Sequence, residues 1–156
     1  MALTEAVGYD PPSPAAVVQV ARTFAAPRER VFRAWTEPEA VRKWFGRGSN
    51  RGVELDLRVG GAYRITFGMP ISGRNGHVVG TFLEVSPPER LVYTFAWEGV
   101  PVPTYGMGDS RVTVEFRELS AGTEVRLTHE LLDRRRLRRF HEWGWRRSLE
   151  NLERLI

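Results

Sequence analysis

The sequence predicts an α+β domain in which an antiparallel sheet, apolar on one face, is covered by a long C-terminal helix. Three observations carry that expectation. From Gly52 to Glu130 apolar residues recur at every second position, and turn residues interrupt them at short intervals. Beyond Arg134 the apolar spacing becomes helical and stays so to Ile156. Ahead of both lies one β-branched run followed by two short helical stripes, each opened by a proline.

Taken in order, residues 1–15 are rich in proline and small residues and are expected to form a loosely held arm, with a single domain over residues 16–156. AVVQVARTF (16–24) reads as a strand through its β-branched content. In PRERVFRAW, Pro27 opens a helix, where its missing N–H costs nothing, and Val31, Phe32 and Trp35 share one face. Pro38 restarts the pattern, and Val41, Trp44 and Phe45 form a second stripe. Six strands are expected next: VELDLRV (53–59), AYRITF (62–67), HVVGTFLEV (77–85), RLVYTFAW (90–97), RVTVEFRE (111–118) and TEVRLTHEL (123–131). Tyr63, Ile65 and Phe67 share a face, as do Leu91, Tyr93, Phe95 and Trp97, and Val112, Val114 and Phe116. Charged residues and threonines take the opposite face, the pattern of an antiparallel sheet with one covering layer. Asp133 is placed to cap the last helix. Leu137, His141, Gly144, Trp145, Ser148, Leu149, Leu152, Leu155 and Ile156 then project into one arc of roughly 140°, the width of a core-facing stripe.

The 156 residues are 42% hydrophobic and 27% charged, which is globular composition and excludes disordered, collagenous and coiled-coil classes. With no cysteine, the chain forms no disulfide, has no thiolate nucleophile and offers no thiolate ligand to zinc or an iron–sulfur cluster. No apolar run approaches the ~18 residues of a membrane span, and the N-terminus lacks a secretory pattern. A soluble, cytoplasmic protein with no membrane contact is therefore expected. The net charge is +4, and Arg134, Arg135, Arg136, Arg138 and Arg139 fall in one window. That cluster reads as a solvated helix start, because a nucleic-acid surface also calls for interleaved aromatics or a reading motif.

Candidate chemistry is sparse. His129 and His141 both fall on apolar faces and are expected to point inward, either as hydrogen-bonded core residues or as groups that orient a ligand or move a proton. His77 lies near a turn and reads as a surface residue. His141 has no partner at metal-ligand spacing, so no metal is expected, nor any cofactor. No serine occupies a strand-to-helix elbow, and no catalytic residue is assigned. The stronger signal is aromatic: Trp44, Phe45, Tyr63, Phe67, Tyr93, Phe95, Trp97, Phe116 and Trp145 all carry inward assignments, a lining that suits an apolar or aromatic ligand. The segment Gly99–Ser110 is long for a hairpin connection and could close over a pocket mouth. Trp143 falls on the polar arc near Arg139, Arg146 and Arg147, so its ring is expected to be exposed or stacked on guanidinium, a candidate contact for a protein partner or a second copy.

Five strings carry a resemblance: TFAAPRERVFRAWTEPEAVRKWFG (23–46), DLRVGGAYRITF (56–67), GTFLEVSPPERLVYTFAWE (80–98), VTVEFRELSAGTEVRLTHELL (112–132) and HEWGWRRSLENL (141–152). In this order they resemble the family of homologues of the activator of heat-shock protein 90 ATPase, within the SRPBCC or START-like superfamily of helix-grip folds. The resemblance implies a curved sheet gripping the C-terminal helix, with a cavity between them in many members. It implies a turn at Gly60 and Gly61 and close helix-to-sheet packing at Gly144. It does not imply one chemistry, since relatives include ligand carriers, polyketide cyclases and aromatases, and chaperone cofactors. The expected function is binding of a small hydrophobic or aromatic molecule between sheet and C-terminal helix. The candidate contacts are Trp44, Tyr63, Ile65, Phe95, Trp97, Val114, Phe116, His129, His141 and Trp145. A cyclase-type enzyme using the two histidines, and a chaperone cofactor or stress-response module, are the alternatives.

Overall fold

The computed structural model describes residues 17–100, 110–132 and 135–156. The N-terminal arm, the cap at Asp133, Arg134 and residues 101–109 of the expected lid lie outside the described residues. Seven strands and three helices follow in the order β1 (Val18–Phe24), α1 (Arg28–Thr36), α2 (Pro38–Trp44), β2 (Gly52–Leu55), β3 (Ala62–Gly68), β4 (Asn75–Ser86), β5 (Arg90–Glu98), β6 (Ser110–Leu119), β7 (Gly122–Glu130) and α3 (Arg135–Leu155). All pairings are antiparallel in one sheet of order β1-β7-β6-β5-β4-β3-β2. The strands from β2 to β7 form a meander, and the chain enters it from β1, at the far edge, by way of α1 and α2. This is the α+β helix-grip arrangement, with the alternation read from the sequence placing Val112, Val114 and Phe116, and Leu91, Tyr93 and Phe95, in the core.

Two prolines set the helices. Pro27 is extended at the N-cap of α1, and its carbonyl accepts from the N–H groups of Arg30 and Val31. Glu37, the residue before Pro38, is driven out of helical conformation (φ −91°, ψ 123°), which ends α1 and lets Pro38 open α2. The far end of α2 is held by side chains from elsewhere. Asn50 Nδ2 donates to the carbonyls of Arg42 and Phe45, and Asn151 Nδ2 on α3 donates to those of Trp44 and Gly46. Ser148 Oγ accepts from Gly46 N–H. Carbonyls that a helix end leaves unpaired are thereby satisfied, and Trp44 and Phe45 are fixed against the sheet.

One strand is shorter than its alternation suggests. Val53, Leu55, Leu57 and Val59 continue the period, yet β2 stops at Leu55, and Leu57 and Val59 are exposed. The chain reverses from Asp56, whose N–H donates to Ala62 O while Gly61 N–H donates to Arg58 O. Gly60 has φ +83°, and a Cβ on Gly61 would lie 2.0 Å from Asp56 O, so the expected turn requirement is real. His77, read as a surface residue near a turn, lies inside β4, partly buried, with Nδ1 3.0 Å from Thr66 Oγ1.

On the sheet, α3 buries Leu137, His141, Trp145, Ser148, Leu149 and Leu152. Among the described residues its first turn carries no acid to complement a helix N-terminus, in keeping with the arginine cluster. Arg22 on β1 pairs with Glu153 and ties down the other end. Gly144 does not mark close packing, since a Cβ there would meet nothing within 4 Å; the contact is made by its neighbours Trp145 and Ser148 instead. Trp143 is 58% exposed, with the Arg147 guanidinium 5.6 Å from its ring centroid.

Candidate ligand cavity and the buried histidine pair

Where β4 meets β5 the ladder breaks. Register shifts between Phe82 and Glu84, and opposite the irregular stretch Thr94 bonds in unusual ways. Its Oγ1 accepts from Thr81 N–H, and its carbonyl accepts from the Tyr63 hydroxyl at 2.6 Å. Tyr63 reaches that carbonyl across Gly80, its register partner on β4, where a Cβ would lie 1.9 Å from Thr94 O. An irregularity of this kind bends a strand and sharpens its twist.

Beside this bend a cavity of about 40 Å³ is lined by Trp35, Val41, Trp44, Phe45, Val53, Leu55, Tyr63, Ile65, Phe82, Tyr93 and Phe95. One water occupies about 10–15 Å³ on that measure, so the space suits a few heavy atoms of an organic group. The roof is Trp35 of α1 together with α2 and Phe45, and the floor comes from β2 to β5. No residue of α3 is in the lining, so the cavity is not where it was expected, between sheet and C-terminal helix. The reason is packing: at α3 the room is taken by Trp145, His141 and His129 packed edge-on or tilted around Phe95, with ring centroids 4.9 to 5.9 Å from it.

Of the ten residues expected to contact a ligand, Trp44, Tyr63, Ile65 and Phe95 line the cavity. Val114 and Phe116 lie deeper in the core, Phe116 edge-on to Phe32 and Trp35. Trp97, His129, His141 and Trp145 come together in a separate polar network. Trp35, Val41, Phe45, Val53, Leu55, Phe82 and Tyr93 complete the lining. Trp35 was visible as an inward residue of α1 and Tyr93 as one of β5; Val53 and Leu55 were visible in the alternation of β2.

The network fixes both imidazoles as neutral. Trp97 Nε1–H donates to His141 Nε2 at 3.1 Å, so His141 carries its proton on Nδ1 and donates to Leu137 O at 2.7 Å. Trp145 Nε1–H donates to His129 Nδ1 at 3.1 Å, so His129 donates from Nε2 to Ser110 Oγ at 2.7 Å, and Ser110 passes its own proton to Phe95 O. The two rings are 4.9 Å apart between centroids. Burial pushes the pKa of His129 well below the ordinary histidine value, and the neighbouring His141 pushes it further. Burial also lowers that of His141, partly opposed by the bond to Leu137. Every ring nitrogen is engaged, so as it stands the pair is a structural element with no free valence for a substrate.

Among the described residues no group of three or more histidine, aspartate or glutamate side chains converges as a metal site. No helix among them is long and apolar enough to cross a membrane.

Comparison with proteins of curated function gives no match. Among solved structures, protein CV1439 from Chromobacterium violaceum is 30% identical, with a TM-score of 0.76 over 90% of this chain and 97% of that one. An AHSA1-like protein from Aeromonas hydrophila superposes with a TM-score of 0.71 at 23% identity, covering 88% of this chain and 90% of its own. DynU16, from the dynemicin biosynthetic locus, has a TM-score of 0.72 at 20% identity, over 89% of this chain and 46% of that one. At such identities the last two show the fold alone. The model of the family described as activator of Hsp90 ATPase homolog 1-like protein matches residues 25–156, and on that match over most of its length the chain belongs to this family.

Proposed function

We propose that this protein binds a small hydrophobic molecule in the cavity between α2 and strands β2 to β5. The supporting observation is the lining itself: eleven residues from six elements and the α2–β2 link converge on one space whose walls are almost wholly hydrocarbon and aromatic. Space of this kind, bordered by core side chains, forgoes packing energy, so it calls for a reason. A few heavy atoms fit without rearrangement; a larger ligand enters by displacing Phe45 and the α2–β2 link, which lie at the surface side of the roof.

The cyclase-type alternative draws less support, because both imidazoles are saturated with partners and neither lines the cavity. One observation favours a second reading, an interaction module: Trp143 stands out from a helix face otherwise given to arginine and glutamate. Native and denaturing mass spectra of freshly purified protein, with its organic extract analysed in parallel, test the first reading. A small molecule released on denaturation, and lost in a Leu55→Phe variant that fills the cavity, is the expected result. Equal retention in wild type and variant would sink it.

A further inference from the structure

We propose that the cavity selects uncharged molecules, hydrocarbon over most of their surface, that carry one hydrogen-bond acceptor of the ketone or ether kind, and that the Tyr93 hydroxyl reads that acceptor. The inference rests on the ligand-binding reading above and sharpens it to a chemical class.

An inventory of the lining leads there. Of its eleven side chains, only Trp35, Trp44, Tyr63 and Tyr93 bear a polar atom. The Trp44 indole N–H is spent on Ala34 O at 2.8 Å, and the Tyr63 hydroxyl proton on Thr94 O at 2.6 Å. The Trp35 indole N–H is spent on the Tyr93 oxygen at 3.3 Å. Each indole has a single donor, so these three have nothing further to give. Tyr93 differs: its oxygen accepts from Trp35, while its own proton has no acceptor among the described residues. The ring is buried to 7% exposure. A buried hydroxyl without an acceptor is costly, and an acceptor brought by a ligand removes that cost.

Geometry favours the role. The Tyr93 ring is wedged edge-on against Tyr63 (5.4 Å) and Phe82 (6.0 Å), which restricts its swing and presents the hydroxyl in one direction. A hydroxyl that already accepts one hydrogen bond donates more strongly along the chain. Burial holds the phenol in its protonated form, far above its ordinary pKa, with the Trp35 bond only partly opposing. The lining has no carboxylate, guanidinium or ammonium group, so a charged ligand would be stripped of water with no counter-charge.

Acetone and 2-methylpropene, each of four heavy atoms and differing by an oxygen in place of a methylene, serve as probes that fit the cavity without rearrangement. Their affinities for wild type and Tyr93→Phe are measured by ligand-detected NMR, and the carbonyl stretch of bound acetone is recorded in wild type. The expected result is that Tyr93→Phe moves the ketone-to-alkene affinity ratio about fivefold toward the alkene. The bound carbonyl should also absorb at lower frequency than in hexane. An unchanged ratio, or a carbonyl that absorbs as in hexane, overturns the Tyr93 assignment while leaving the cavity reading intact. Failure of both probes to bind wild type overturns the cavity reading and this inference with it. The infrared measurement needs no variant, so it decides the matter even if Tyr93→Phe folds poorly.

Discussion

Acid should unfold this protein through its histidine pair, starting at a pH where most proteins are indifferent. Protonating His141 places a proton on Nε2, facing the Trp97 N–H; protonating His129 places one on Nδ1, facing the Trp145 N–H. Each event turns an accepted hydrogen bond into two opposed donors, and two imidazolium rings 4.9 Å apart would repel one another inside the core. The native state therefore resists protonation, as the lowered pKa of both groups records. In the unfolded chain both take up protons near the ordinary value of about 6.5. The sign follows: the stabilisation is complete above that value and is lost as pH falls below it, because the unfolded state binds protons more readily there. Each such group contributes a slope of at most roughly 1.4 kcal/mol per pH unit, against the ~5–15 kcal/mol that hold a domain together. Urea unfolding followed by circular dichroism between about pH 7.5 and 5.5 measures it. His141→Gln keeps an acceptor for Trp97 but cannot be protonated, so its slope should be shallower than that of wild type. A midpoint that stays flat across the range in wild type would refute the argument.

Other perturbations follow from single contacts. Ser110→Ala strands the His129 Nε2–H in a fully buried site, and denaturant titration should show a loss of about 1–3 kcal/mol. Gly80→Ala drives a methyl group against the Thr94 carbonyl, where no flexible side chain can give way; a loss of about 3 kcal/mol is expected, with altered amide shifts confined to β3, β4 and β5. Phe116→Ala removes a ring packed against Phe32 and Trp35 and should cost about 3–5 kcal/mol in the same titration. Trp143→Ala should change the unfolding free energy by less than about 1 kcal/mol, since only an exposed stack on Arg147 is lost.

The fold was legible because its signals are local. Period two along Leu91, Tyr93 and Phe95, and helical spacing along Leu137, His141 and Trp145, need no knowledge of distant residues, and all six are buried as read. The limit of β2 was less so: Leu57 and Val59 keep the alternation, and only the backbone geometry at Gly60 and Gly61 shows the chain already turning. The position of the cavity was not legible, because it is what remains after every side chain has found its place. His129, His141 and Trp145 point inward as their spacing suggests, but whether an inward aromatic borders space or fills it depends on volumes contributed by five or six elements at once. Indole donors meeting imidazole acceptors likewise depend on α3 lying across β5 and β7, which no spacing within one segment encodes.

The pairing of β1 with β7 sets the order in which the molecule can be completed during synthesis. Val18 meets His129 and Phe24 meets Thr123, so among the described residues the first strand pairs with the last alone. Hairpins from β2 to β5 can close as they leave the ribosome, each across a short loop, whereas β1 has to wait with its apolar face unpartnered until β7 emerges. Closure of the sheet, burial of His129 and docking of α3 are then concentrated in one late step, and a chain halted before Gly122 presents the unsatisfied edges of β1 and β6, which β7 would have covered, to any neighbour.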